Sequence, residues 1–121
     1  MKPAECSASG AVKMRPVPEG ATLRVIGGFF EGLELAIDRD WLVIGRGLSV
    51  EFVLCEPTLS RAHAAVGYDG TRFFVRDLDS TNGTLVNGER CDEQPLNDGD
   101  EIQIGRMSLR VGLPKQEADA A

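Results

Sequence analysis

Histidine occurs once, tryptophan once and cysteine three times in these 121 residues, and each scarcity closes off a class of chemistry. The cysteines, Cys6, Cys55 and Cys91, are odd in number and form no CxxC pair, and His63 stands alone, so no zinc-binding set is expected. Free thiols in a reducing compartment are the simpler assignment. No apolar run approaches the roughly 18–20 residues that span a bilayer, and the start, MKPAECSASG, lacks the apolar segment of a signal peptide. A cytoplasmic protein without membrane insertion is the expectation. Nor does any window carry an apolar stripe at helical spacing over three turns.

Charge narrows the partners further. The net charge is −6, and residues 21–113 account for a balance of −6 from nine Arg and fifteen Asp or Glu, whereas residues 1–20 carry +1. Such a body repels a nucleic-acid duplex or a polyanionic membrane surface unless a local patch overcomes the field, so nucleic-acid binding is not expected.

What is present in quantity is glycine, 14 residues, with 6 prolines and short apolar runs, a mixture that suits short strands and tight turns. The apolar fraction of 42% is enough for a core in one domain. Residues 1–20 lack periodicity and are expected to form a flexible lead-in, residues 21–113 the folded domain, and residues 114–121 a flexible tail. Within the body, alternation marks strands at 22–26 and 33–37, and 41–44 is a continuous apolar run suited to burial on both faces. Strands are also expected at 52–54, 62–68, 72–76, 84–86, 101–104 and 107–111. Asp69-Gly70, Asn82-Gly83, Asn87-Gly88 and Asp98-Gly99 supply the turns. The fold class is all-β, a sandwich.

Three clusters fall where strands end: Gly45-Arg46, Ser60-Arg61-Ala62-His63, and the run Asp77 to Thr84 with Asn87-Gly88 beyond it. Arg46 offers a planar fork of donors for two phosphate oxygens, and Arg61 a second permanent positive charge. Ser60 and Thr81 offer hydroxyls, and Asn82 can both donate to and accept from an extended peptide backbone. Phosphothreonine, near a dianion at neutral pH with three strong acceptors, matches that set. Spacing alone does not bring the clusters together in space.

The order Gly-Arg, Ser-x-x-His, Asn-Gly, with PTLSRAHA at 57–64, DLDSTNGTLVNG at 77–88 and LNDGDEIQIG at 96–105, resembles the forkhead-associated (FHA) signature over about residues 21–113. The resemblance implies a β-sandwich of about eleven mostly antiparallel strands with recognition loops at one end. It implies a module that binds phosphothreonine in partner proteins, the substrates of a Ser/Thr kinase. Carried over, Arg46 and Ser60 contact the phosphate, Arg61 and Thr81 assist, and Asn82 holds the peptide backbone. Thr58 occupies a place where the family tends to read the third residue after the phosphothreonine, and Gly45, His63 and Gly83 are structural. Glu51 and Phe52 depart from the family's usual Asp and Ile or Val, which implies altered loop packing rather than lost binding.

Plainer roles compete at each position. Gly45 and Gly83 are read as turn glycines, since glycine takes positive φ at no steric cost. Asn87-Gly88 is read as a plain hairpin turn, and Trp41 with Phe29-Phe30 as core or rim. His63 lacks a second histidine or a nucleophile motif, so a hydrogen-bonded structural role is expected, with no catalytic residue, cofactor or metal. A monomer is expected. The competing function is a phosphate-independent scaffold of the same fold in a secretion or regulatory assembly, against which Arg46, Ser60 and Asn82 argue. Residues 1–20 contain Ser7 and Ser9 but no threonine, and Thr22 is poorly placed to loop round, so recognition of a separate partner is favoured over self-recognition.

Overall fold

The computed structural model describes residues 17–28 and 30–114. Phe29, Cys6, most of the expected lead-in and the tail after residue 114 lie outside the described residues. Eleven strands form in chain order: β1 (Thr22–Gly27), β2 (Glu34–Ala36), β3 (Leu42–Gly45), β4 (Phe52–Val53), β5 (Ala64–Tyr68), β6 (Phe73–Asp77), β7 (Thr84–Val86), β8 (Glu89–Arg90), β9 (Glu93–Pro95), β10 (Glu101–Ile104) and β11 (Met107–Gly112). They build a six-stranded sheet, β2-β1-β11-β10-β7-β8, and a five-stranded sheet, β4-β3-β5-β6-β9. All pairs are antiparallel except β3 with β4. The fold is an all-β sandwich, with no helix among the described residues.

Register explains why the alternating strands share one core. Side chains on a strand alternate faces, so paired residues of like polarity line one side. In one sheet Leu23 pairs with Val111 and Val25 with Leu109; Ile102 pairs with Leu109, Ile104 with Met107, and Val86 with Ile102. In the other, Leu42 pairs with Val66, and Val66 with Val75. These rows face one another and are buried in a single cluster. Each such side chain contributes roughly 1.5–3 kcal/mol on full burial, which outweighs the weak intrinsic preference of short strands.

Two expectations are corrected here. The run 41–44 is not buried on both faces: Leu42 and Ile44 point into the core, Val43 is half-buried, and Trp41 is 41% exposed. Trp41 is a rim residue that meets Phe74 at a ring-centroid distance of 6.1 Å. The strand expected at 62–68 starts at Ala64, because Ala62 and His63 belong to the preceding loop.

The same register places the site. Ile44 pairs with Ala64, and Ala64 with Asp77, so the end of β3, the start of β5 and the end of β6 meet at one edge of the sandwich. Thr84 pairs with Ile104, which brings the start of β7 and the Gly105-Arg106 turn to that edge too. The turn at 69–72, closed by Asp69 Oδ1 accepting from the amides of Thr71 and Arg72 at 2.8 Å each, lies at the far end of β5 and β6.

Candidate functional site

Three loops converge on the 58–63 segment. The Arg46 amide donates to Ser60 O at 3.0 Å, the Gly47 amide to Arg61 O at 3.0 Å, and Arg46 Nε to Leu59 O at 3.0 Å. This approach is so close that a Cβ on Gly45 would lie 2.0 Å from Arg61 O. Gly45 does not have positive φ. The turn-glycine account is therefore corrected for this position: glycine is needed because the chains nearly touch. From the other side the Thr81 amide donates to Ser60 Oγ at 2.9 Å, and Asn82 Nδ2 donates to Thr58 O at 2.7 Å.

Beneath these loops lies His63, 0% exposed. Its Nδ1 accepts from the Ser60 amide at 3.0 Å, so the ring proton sits on Nε2 and is donated to Gly83 O at 2.8 Å. One ring thus ties the Ser60 loop to the Asn82-Gly83 loop. Both nitrogens of this buried ring are engaged in hydrogen bonds, which leaves none to act as a base on a substrate.

A second support, with Ser80 and Thr84 buried, is anchored by the half-buried Asp77. Its carboxylate accepts from the Ser80 amide at 3.2 Å, from Ser80 Oγ, and from Thr84 Oγ1 at 2.7 Å. Ser80 Oγ in turn accepts from the Gly83 amide at 2.9 Å. Burial works against the Asp77 charge, but the Ser80 and Thr84 hydrogen bonds, with the His63 side nearby, outweigh it and hold the carboxyl below its ordinary range. Ser80 and Thr84 were not singled out from the sequence; the signal available was the Asp-x-x-Ser spacing, a common side-chain-to-backbone turn. In the same loop Asp79 takes φ 59°, a left-handed conformation that Asp tolerates better than most residues.

Thr58 is occupied internally. Its hydroxyl donates to Glu56 Oε2 at 2.6 Å and accepts from the Arg106 amide at 2.9 Å, and its own amide donates to Glu56 Oε2 at 2.8 Å. These Thr58 bonds, and less so the Arg106 charge, hold the Glu56 carboxyl low despite a small opposing desolvation. Glu51 accepts from the Val43 amide at 2.7 Å, so it braces β3.

The resulting surface presents several arginines on a chain of net charge −6. Arg39, Arg76 and Arg110 pair with acidic neighbours. Among the described residues six arginines form no ion pair: Arg46, Arg61, Arg90 and Arg106 belong to this end, whereas Arg24 lies on β1 and Arg72 in the turn at the far end. Arg46 and Arg61 are exposed, as are Thr81 and Asn82, while Ser60 is half-buried. No cluster of three or more metal-ligating side chains occurs among the described residues. Cys55 is exposed, and Cys91 is half-buried with its thiol pushed up by burial and by the charges of Asp77 and Asp92.

The family model of the FHA domain matches residues 42–105, a stretch that holds Arg46, Ser60, Arg61, Thr81 and Asn82. The chain belongs to the FHA-domain family. Glycogen accumulation regulator GarA of Mycolicibacterium smegmatis is 37% identical over 109 residues, covering 88% of this chain and 69% of the relative. An oxoglutarate dehydrogenase inhibitor of Corynebacterium jeikeium is 37% identical over 94 residues, covering 77% of this chain and 65% of the relative. Among solved structures, one from a structural and functional study of phosphothreonine-dependent FHA domain interactions superposes with TM-score 0.72 at 33% identity, over 79% of this chain and 98% of that one. The FhaA FHA domain complexed with the intracellular domain of Rv3910 superposes with TM-score 0.69 at 34% identity, over 76% and 99%. In this FHA domain no helix among the described residues is long and apolar enough to cross a membrane.

Proposed function

We propose that this chain is a phosphothreonine-peptide-binding module that recruits phosphorylated partner proteins through the loops at one end of its sandwich. The observation that carries the reading is the state of Ser60. Its Oγ accepts the Thr81 amide, which fixes its position, while its own proton has no acceptor among the described residues. That proton is a free donor beside the unpaired guanidinium of Arg46. Because Arg46 spends Nε on Leu59 O, its two terminal nitrogens remain for phosphate oxygens. Arg61 adds charge and Thr81 a second hydroxyl. Asn82 uses one amide hydrogen on Thr58 O and keeps its Oδ1 and second hydrogen for a peptide backbone. Thr58, with its hydroxyl internally bonded, acts through the shape it gives the adjoining surface.

Binding rather than catalysis fits the engaged, buried His63, and fits relatives that are named a regulator and an inhibitor. The binding domain in this reading is residues 21–113, working as a monomer in the cytoplasm on substrates of a Ser/Thr kinase.

The test is a titration with matched peptides carrying phosphothreonine, phosphoserine or unmodified threonine. Two charge-assisted hydrogen bonds at about 1.5 kcal/mol each predict at least a ~100-fold preference for phosphothreonine over threonine. Arg46→Ala should remove at least about tenfold of it. Equal binding with and without phosphate would refute the reading and leave a phosphate-independent scaffold.

A further inference from the structure

Arg90 was not marked by the sequence, yet it stands beside the residue assigned to grip the peptide. It lies on β8, the edge strand of the six-stranded sheet, paired opposite Leu85. From there its side chain reaches back over Gly83: a Cβ on Gly83, where φ is +84°, would lie 2.8 Å from Arg90 Cζ, 2.9 Å from Nε and 3.1 Å from Nη2. The guanidinium therefore rests on the Gly83 backbone, next to Asn82, in space that only glycine leaves open. Glu89, Asp92 and Glu93 are close in sequence, but Arg90 forms no ion pair or side-chain hydrogen bond among the described residues, and it is exposed.

The other arginines of this end differ. Arg106 sits near enough to Glu56 to lower its carboxyl, so part of its charge is already answered within the protein. Arg46 and Arg61 flank Ser60. Arg90 alone adds an unanswered cation on the Gly83 side of Asn82, beyond the set assigned to the phosphate.

We propose that Arg90 is a specificity-determining residue that selects phosphothreonine peptides bearing a second anionic side chain close to the phosphothreonine. This rests on the phosphothreonine-binding reading and deepens it. A peptide held by Asn82 passes within reach of the Arg90 fork, which can take a carboxylate or a phosphate through two parallel N–H donors. A lysine there meets repulsion instead. Because the pair is exposed to solvent, the expected preference is modest, about two- to fivefold for acidic over neutral.

The experiment is a set of peptides with fixed phosphothreonine in which each flanking position carries Asp, Glu, phosphoserine, Ala or Lys in turn, titrated against wild type, Arg90→Gln, Arg90→Glu and Arg46→Ala. Thermal melts confirm that each variant is folded. Wild type should favour the anionic peptides at one flanking position. Arg90→Gln should flatten that preference, and Arg90→Glu should invert it towards Lys, both keeping discrimination of phosphothreonine from threonine. A stronger response to phosphoserine than to Asp or Glu identifies a second phosphate as the preferred anion. Intact phosphothreonine discrimination with no anionic preference, or a preference untouched by either Arg90 variant, would overturn the assignment. Failure of wild type to discriminate phosphothreonine would sink the binding reading and this inference with it.

Discussion

Replacing Gly45 by alanine tests the close approach on which the recognition end depends. The new Cβ would stand 2.0 Å from Arg61 O, 2.7 Å from Arg61 C and 2.9 Å from Ser60 O. Backbone atoms cannot yield as a flexible side chain does, so the 60–61 segment must move away from β3 by more than 1 Å (roughly the gap to ordinary van der Waals contact). Three hydrogen bonds at 3.0 Å cross that contact, two from the Arg46 and Gly47 amides and one from Arg46 Nε. At about 1 kcal/mol net apiece their loss costs about 3 kcal/mol. Out of a total stability of roughly 5–15 kcal/mol, that leaves a folded but weakened domain at 25 °C. Urea unfolding should show a midpoint lowered by about 1.5 M, for a slope near 2 kcal/mol/M, with the slope itself unchanged. The melting temperature should fall by about 12–24 °C. Because Arg46 and Ser60 lose their fixed relation, phosphothreonine binding should weaken along with stability. A destabilisation under about 1 kcal/mol with undiminished binding would show that the contact does not constrain position 45.

Two further substitutions probe the supports beneath the loops. His63→Ala strands the half-buried Ser60 amide and the buried Gly83 O; a loss of about 2–5 kcal/mol is expected, read by urea unfolding, and an effect below about 0.5 kcal/mol would remove the histidine from the account. Asp77 has its folded pKa depressed, so its contribution is fully present above the unfolded carboxylate value near 3.9 and is lost as pH falls through the lower folded value. Asp77→Asn should therefore cost about 1.5–3 kcal/mol at pH 7 and make the acid limb of the stability curve shallower; an acid limb identical to wild type would contradict the assignment.

Much of the sandwich was legible because strict alternation at 22–26, 101–104 and 107–111 has one physical solution, a half-buried strand. β8 and β9 were not, because their residues are all exposed and carry no apolar signal. They are held by backbone bonds instead, such as the Cys91 amide to Thr84 O at 3.0 Å and the Leu96 amide to Phe73 O at 2.8 Å. The 41–44 run misled because four apolar residues in a row look the same whether a sheet is covered on one side or two. At the candidate site, residue type and order pointed to Arg46, Ser60, Arg61, Thr81 and Asn82. Geometry had to supply the rest: that Thr58 spends its hydroxyl on Glu56, that Gly45 is required by contact rather than by φ, and that Arg90 covers a glycine seven positions earlier. Each of these depends on what lies opposite in space, which no local pattern records.

Amide chemical shifts of the isotope-labelled protein, followed during titration with a phosphothreonine peptide, test the central claim most directly. The account predicts that Arg46, Ser60, Arg61, Thr81, Asn82 and Gly83 move with the phosphorylated peptide and stay still with its unmodified counterpart, while the 69–72 turn at the opposite end is unaffected. Shifts centred on that far turn, or the same shifts from both peptides, would contradict it.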